Sequence, residues 1–410
     1  MRATMKLGSV TKKIGSGVTP RGGEKVYKTE GTTLIRSQNV YDYRFVEDGL
    51  VYIDDTEAER MKGVEIQKND VLINITGDSV GRCCIVPDKV LPARVNQHVC
   101  ILRADPSQLN PRYLMYFLNE PKNKQRLLNQ VHGGTRKALT KGILEVFEIT
   151  IPSLRTQEKI AEILGSLDDK IELNRRMNET LEQMVMALYK HWFVDFGPFY
   201  DLDDSGFPIG WRWGTLDEIG HTYKFQVDPT ELETYLPYIG LEHMPKGSVS
   251  LEEWGYTDKV KSNKFLFEKG DILFGKLRPY FKKVGVAPIN GVCSTDILVL
   301  RPKNDDFFGL LFTQVIQDEF IDYCSNTSNG TKMPRCDWNQ MGKFTLRIPT
   351  DSVLIEFNKK IKAFVDQIIS NIHENKVLIE TRDYLLPRLL SGEIEVREAE
   401  EQVEEVLANA

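Results

Sequence analysis

A chain of 410 residues, 41% hydrophobic and 27% charged, has a soluble globular composition and material for about two to four domains. No apolar run approaches ~18 residues and the basic start MRATMKLGSVTKKIG lacks the apolar stretch of a signal peptide, so a cytoplasmic protein with no membrane association is expected. Cys83, Cys84, Cys100, Cys293, Cys324 and Cys336 show no CxxC and no His-paired spacing, which predicts buried reduced thiols, and no His or carboxylate constellation suggests a metal or catalytic centre.

The net charge of −6 argues against nucleic acid only if it is evenly spread. Residues 1–154, read as a first α/β domain, carry 23 Lys+Arg against 17 Asp+Glu. Within them KNDVLINITGD (68–78) and VNQHVCILR (95–103) read as strands, a helical segment covers about 111–130, and GGTRKALT (133–140) leads to Ile151-Pro152. Reading a base edge needs Arg or Lys for guanine and Asn or Gln for adenine, presented from loops or helix ends. Arg36, Gln38, Asn39, Arg82, Arg94, Asn96, Gln97, Arg136 and Lys137 are the candidates that this domain supplies.

Residues 155–197 form a central long helix. Ile160, Leu164, Leu167, Ile171, Asn174, Asn178, Leu181, Val185 and Leu188 alternate steps of four and three, the seam of a coiled coil. At ~1.5 Å per residue, Thr156 to Phe196 makes a rod of roughly 60 Å. Thr156 is the expected N-cap, with Glu158 in the first turn, and Gly197-Pro198 the stop. Trp192, Phe193 and Phe196 at its end suggest anchors for a partner protein.

Residues 198–350 make a second domain, acidic overall, with 17 Lys+Arg against 21 Asp+Glu. Its stretch KVKSNKFLFEKGDILFGKLRPYFKK (259–283) nevertheless holds eight basic residues against two acids, interleaved with aromatics, the footprint of a nucleic-acid face. Lys276, Arg278, Tyr280, Lys282, Lys332 and Arg335 are the candidates here. GDILFGKL (270–277) imitates a phosphate loop, but Leu277 stands where Ser or Thr would hold Mg²⁺, and the segment reads as a strand. NPRY (110–113) likewise imitates a methyltransferase tetrapeptide without any Gly-rich cofactor loop upstream.

Residues 351–392 repeat the rod and 393–410 are an acidic tail, expected to be solvated or partner-binding. Adding 197 to each seam position gives Phe357, Ile361, Phe364, Ile368, Asn371, Asn375, Leu378, Arg382 and Leu385, and only Arg382 departs from apolar or Asn character. A buried Asn lowers stability but fixes register, so its recurrence as Asn371 and Asn375 suggests that the two rods specify each other. Pro387 should kink or end the second rod near residue 386. The domains repeat as well: KNDVLINITGD parallels KGDILFGKLRP, and VNQHVCILR parallels STDILVLR. GGTRKALT parallels NGTKMPRC, and Ile151-Pro152 parallels Ile348-Pro349. The expected molecule is a pseudo-twofold duplication of an α/β (α+β) domain and a long helix. Its helices form an antiparallel coiled coil that holds the domains several tens of ångströms apart, a separation suited to two half-sites on DNA.

The stretches IPSLRTQEKIAEILGSLDDKIELNRRMNETLEQM, ALYKHWFVDF and YLLPRLLSGEI, with LINITGDSVG and VNQH, resemble the specificity (S) subunit of type I restriction–modification systems over nearly the whole chain. The resemblance implies two target recognition domains, each reading one half of a split site in double-stranded DNA. It implies helices that set the spacer and dock two methyltransferase (M) subunits, and two motor–nuclease (R) subunits that complete the enzyme. It implies no catalytic centre and no cofactor in this chain, with AdoMet, ATP and Mg²⁺ used by the partners. A specificity subunit of a related two-component system and a coiled-coil scaffold binding protein alone are the alternatives.

Overall fold

The computed structural model describes residues 2–130, 138–204, 206–231, 235–330 and 332–408. The chain forms two compact units, one of Met1–Lys170 with Leu378–Ala410 and one of Ile171–Val377. Each unit therefore contains a domain and a portion of both long helices.

The domain of the first unit is built on an antiparallel four-stranded sheet in the order Thr11–Ser16, Val99–Ala104, Val71–Asn74, Cys83–Ile85. Alternation along these strands sends Leu72, Cys84 and Ile101 into a core shared with a second sheet, in which Thr32–Ile35 pairs parallel to Ala93–Val95. Helices Pro111–Asn119 and Pro121–Leu128 follow, the break falling at Glu120, because a proline disfavours helical geometry in the residue before it. Strand Ala3–Lys6 pairs with Glu148–Ile151 and joins the beginning of the domain to its end.

The domain of the second unit repeats the plan. Its four-stranded sheet runs Gly220–Tyr223, Ile297–Pro302, Ile272–Gly275, Val284–Val286, and a parallel pair, Pro237–Ile239 with Gly291–Cys293, again lies in the other sheet. Two helices, Phe308–Val315 and Asp318–Asn326, follow, and Arg212–Thr215 pairs with Thr345–Ile348. One polar interaction recurs in detail. Arg103 grips buried Asp70 through two bonds of 2.7 Å, and Arg301 grips Asp271 through bonds of 2.7 and 2.8 Å. Such two-pronged pairing fixes the start of one central strand against the end of its neighbour in both copies.

The first long helix runs Leu154–Tyr189 and ends in a wider π-type turn, Lys190–Val194. Its start is capped by Ser153, which accepts from the Thr156 N–H, so Thr156 is inside the helix and not its cap. The second spans Asp351–Ser391 with Pro387 inside it, so the helix does not end at residue 386. The tail is also helical, Val396–Ala408, and buries Ala399 and Val403 in the first unit, with Glu400 3.7 Å from Lys159. NPRY is structural: Asn110 caps its helix by accepting from the Tyr113 N–H, and Arg112 lies against Gly165 and pairs with Asp169 on the first long helix.

Within the second unit the two helices pair antiparallel. Asn174 donates to Asn375 at 2.9 Å, Asn371 donates to Asn178 at 2.8 Å, and farther along Phe193 meets Phe357 edge to face with ring centres 4.7 Å apart. The four asparagines and Ile171, Phe357, Ile361 and Ile368 are buried, while Leu181 and Phe364 are half-buried. In the first unit Ile160, Leu164, Leu167, Leu378 and Leu385 are buried. Arg382, the odd seam residue, is 7% exposed there. It donates to Asp168 and Asp383, both at 2.8 Å, and lies 3.9 Å over the ring of Tyr43. Asp168 also accepts from the Tyr116 hydroxyl, and burial raises its pKa although Arg382 and that hydroxyl act the other way.

Removing one member of a buried ion pair leaves the other charge unpaired. Arg382→Met should therefore cost about 3–5 kcal/mol in chemical denaturation, and the double variant Arg382→Met/Asp168→Leu should recover most of that loss.

Candidate nucleic-acid interface

In both domains, loops from separate parts of the chain gather around the segment that leaves the central strand Val71–Asn74 or Ile272–Gly275. In the first, the Ile75 N–H donates to the His98 carbonyl at 2.9 Å, and the Leu139 N–H donates to the Ile75 carbonyl at 2.8 Å. Asn74, fully buried, donates to the carbonyls of Ser37 and Val40 and ties in the loop that begins at Arg36. In the second, the first two of these bonds recur at the matching positions, and a further one is added. Lys276 N–H donates to the Asp296 carbonyl at 2.9 Å, Cys336 N–H to the Lys276 carbonyl at 3.0 Å, and Gly247 N–H to the Lys282 carbonyl at 3.1 Å. The segments matched between the two halves of the sequence thus occupy equivalent places within their own domains.

The central loop keeps its backbone while its side chains change. Counting from the matched strands, Gly77 corresponds to Arg278 and Gly81 to Lys282. All four are left-handed, with φ of +79° and +86° for the glycines and +52° and +50° for the basic residues. Glycine adopts this conformation freely, whereas a residue with a Cβ pays roughly 1–2 kcal/mol for it. Arg278 and Lys282 flank a short turn, Pro279–Phe281, from which Tyr280 projects with half its surface exposed against the edge of Phe281.

The candidates separate into three groups. Exposed or half-buried on these loops are Arg36, Gln38, Arg82, Gln97, Lys276, Arg278, Tyr280, Lys282, Lys332 and Arg335. Several are oriented by neighbours. The Arg82 guanidinium lies 4.5 Å over the Tyr41 ring and that of Arg36 5.4 Å over Tyr27; Arg335 pairs with Asp296 at 2.9 Å and Lys282 with Asp318 at 2.5 Å. Asn39, Arg94 and Asn96 are instead buried, with exposures of 0%, 6% and 7%. Asn39 donates to the carbonyls of Val46 and Asp48, Arg94 to those of Ala58 and Ala93, and Asn96 accepts from the His98 N–H. Base edges are out of their reach. Arg136 and Lys137 lie outside the described residues.

Two loop residues were not anticipated. Lys246 sits 4.3 Å over the Phe281 ring, and Tyr41 provides the platform for Arg82. Neither contact has a local signal, since Tyr41 and Arg82 are far apart in the chain. Trp192 and Phe193, expected to be open to a partner, are 7% and 6% exposed and pack on Phe357, and Phe196 is half-buried under Arg347. Among the described residues no cluster of His, Cys, Asp or Glu has the form of a metal site, and no helix is long and apolar enough to cross a membrane. All six cysteines are buried and unbridged.

The family model for the type I restriction modification DNA specificity domain matches twice, over residues 4–183 and 208–380. The chain belongs to that family. The chain is 28% identical, over 69% of both sequences, to the MjaIX specificity subunit of a type I restriction enzyme of Methanocaldococcus jannaschii. It is 24% identical to the HindI specificity subunit of Haemophilus influenzae, over 88% of this chain and 94% of that one. In fold it is similar to the crystal structure of a type I system S subunit from M. genitalium, with a TM-score of 0.59 at 16% identity over 95% of this chain and 96% of the other. The two family matches coincide with the duplicated domains, each including its part of a long helix.

If Arg278 and Lys282 are held left-handed for their side chains and not for the fold, glycine should serve the backbone equally well. Arg278→Gly and Lys282→Gly should each leave the thermal midpoint unchanged or raise it, by an amount equivalent to up to about 1 kcal/mol.

Proposed function

We propose that this chain is the DNA-recognition subunit of a type I restriction–modification enzyme, each domain reading one half of a split site through its gathered loops. The observation that carries this is the repeated loop platform, in which the same backbone bonds recur while the presented residues differ, within a chain of the DNA specificity family. Identical loops would favour one repeated sequence; divergent loops on one scaffold favour two different half-sites. On this reading Arg82, Gln97, Arg278 and Arg335 contact base edges in the major groove, while Lys276, Lys282 and Lys332 neutralise phosphates. The acidic net charge is no obstacle, because residues 1–154 are net basic and the stretch 259–283 holds eight basic residues against two acids.

The chain positions and does not catalyse. Methylation with AdoMet and ATP- and Mg²⁺-dependent translocation and cleavage belong to two methyltransferase and two motor–nuclease partners. The long helices set the spacer and dock the methyltransferases. Support for docking comes from exposed apolar residues on the first long helix, Leu173, Met177 and Met184, whose spacing puts them on one stripe away from the seam. With Trp192 and Phe193 buried, that stripe is the better anchor.

Co-expression with the cognate methyltransferase and mapping of modified adenines by long-read sequencing should reveal a split motif of fixed spacer that vanishes when this chain is omitted. No new methylation from a soluble complex would refute the proposal. Met177→Asp/Met184→Asp should abolish co-purification of the methyltransferase while leaving the circular dichroism of this chain unchanged.

A further inference from the structure

Glu182 lies on the face of the first long helix that meets the second domain, within one unit. One of its carboxylate oxygens accepts three bonds from a single loop: from the Ser248 hydroxyl at 2.8 Å, the Val249 N–H at 3.1 Å and the Ser250 hydroxyl at 2.8 Å. Burial raises its pKa, although those same bonds favour the ionised form. A carboxylate is not placed in such a position by hydrophobic packing; three donors converging on it make the site specific.

The loop that Glu182 holds is the one that supports the contact loop. Gly247, next to Ser248, donates its N–H to the carbonyl of Lys282. Two further ties bring the same stretch to the helices: Arg175 to Glu252 at 2.9 Å, and the Lys376 ammonium 4.8 Å over the Trp254 ring. The first domain has a counterpart of different chemistry. Arg382 of the second long helix stacks on Tyr43, whose N–H donates to the Cys83 carbonyl beside Arg82. In each domain one charged residue on a long helix, half-buried Glu182 or buried Arg382, reaches a loop that is hydrogen-bonded to the contact loop.

We propose that Glu182 is a positioning residue for DNA recognition by the second domain: it transmits the placement of the helix, through Ser248–Ser250 and Gly247, to the left-handed Lys282 and the Arg278–Lys282 contact loop. The proposal rests on the DNA-recognition reading above. Left-handed non-glycine residues persist where their surroundings over-determine them, and this chain of bonds is such a surrounding.

The test uses the full chain in complex with its methyltransferase. Glu182→Ala should weaken binding of the cognate duplex about tenfold to a hundredfold, the range expected for losing hydrogen bonds to a charged acceptor. Its methylation map should lose base preference in one half of the split motif only, the half that also degrades in Arg278→Ala. Glu182→Gln keeps an accepting oxygen and should keep the motif. Ser248→Ala/Ser250→Ala removes two of the three donors from the loop side and should reproduce the half-restricted loss, which covers the case in which Glu182→Ala does not fold. Retention of the full motif and affinity in Glu182→Ala and in the double serine variant would overturn the proposal. So would equal loss in both halves in step with a falling thermal midpoint, which marks a role in stability alone. A wild-type complex that directs no split motif would instead refute DNA recognition itself, and this inference with it.

Discussion

The pairing of Asn174 with Asn375 and of Asn178 with Asn371 is the constraint on which the helical part of the structure depends. Apolar seams tolerate sliding, because one leucine layer resembles the next. Four buried amides do not, since a slip of one turn would keep at most one amide pair and a slip of one heptad would break both. The crossed arrangement, in which the earlier asparagine of one helix meets the later one of the other, is compatible only with antiparallel helices. It is not a fully satisfied network: Asn174 Oδ1, Asn178 Nδ2 and Asn375 Nδ2 have no hydrogen-bond partner among the described residues. A leucine seam would be more stable, so the amides are better understood as specifying register and direction than as contributing stability.

In the first unit the same role falls to a charge. Arg382 breaks the apolar pattern and does so opposite Asp168, with Tyr116 and Tyr43 completing its surroundings. Both Tyr43 and Tyr116 belong to the domain, so this polar cluster joins the helix pair to its domain as well as the helices to each other. The asparagines are confined to the helices. The halves of the duplication thus solve one problem, uniqueness of helix pairing, with different chemistry.

Much of this was legible in the sequence for reasons of periodicity. A seam repeating every seven residues over four heptads, one strand that follows an Asp and another that ends in Leu-Arg leave signals that survive strong divergence, and the second copy doubled each signal. What the sequence could not carry was burial at single positions and pairing across distance. Arg94 looks like a loop arginine but sits in the short strand Ala93–Val95, where its side chain is drawn inward to the carbonyls of Ala58 and Ala93. Asn39 resembles a base reader, yet an asparagine that closes a turn onto the carbonyls of Val46 and Asp48 has the same one-letter signature. Asp168 was invisible as the partner of Arg382 because it lies beside the seam position Leu167 and not on it. Trp192 and Phe193 were misjudged because a helix end rich in aromatics reads alike whether it meets its own domain or another protein.

The matched loops bear on how two half-site specificities arise from one scaffold. If new contacts required new backbone, each change of target would disturb the sheet beneath it. Here the two left-handed positions at either side of the turn are preserved, and only their occupants differ: glycine at 77 and 81, arginine and lysine at 278 and 282. A glycine at such a position presents backbone; a basic residue there presents a cation from the same place, at a conformational cost that its neighbours must hold in check. The tie from Glu182 lies beside Lys282, in the copy that bears this cost, where it supports the loop from the helix side. The scaffold is then free to change what it presents because the loop's geometry is fixed from beneath and not by the presented residues themselves.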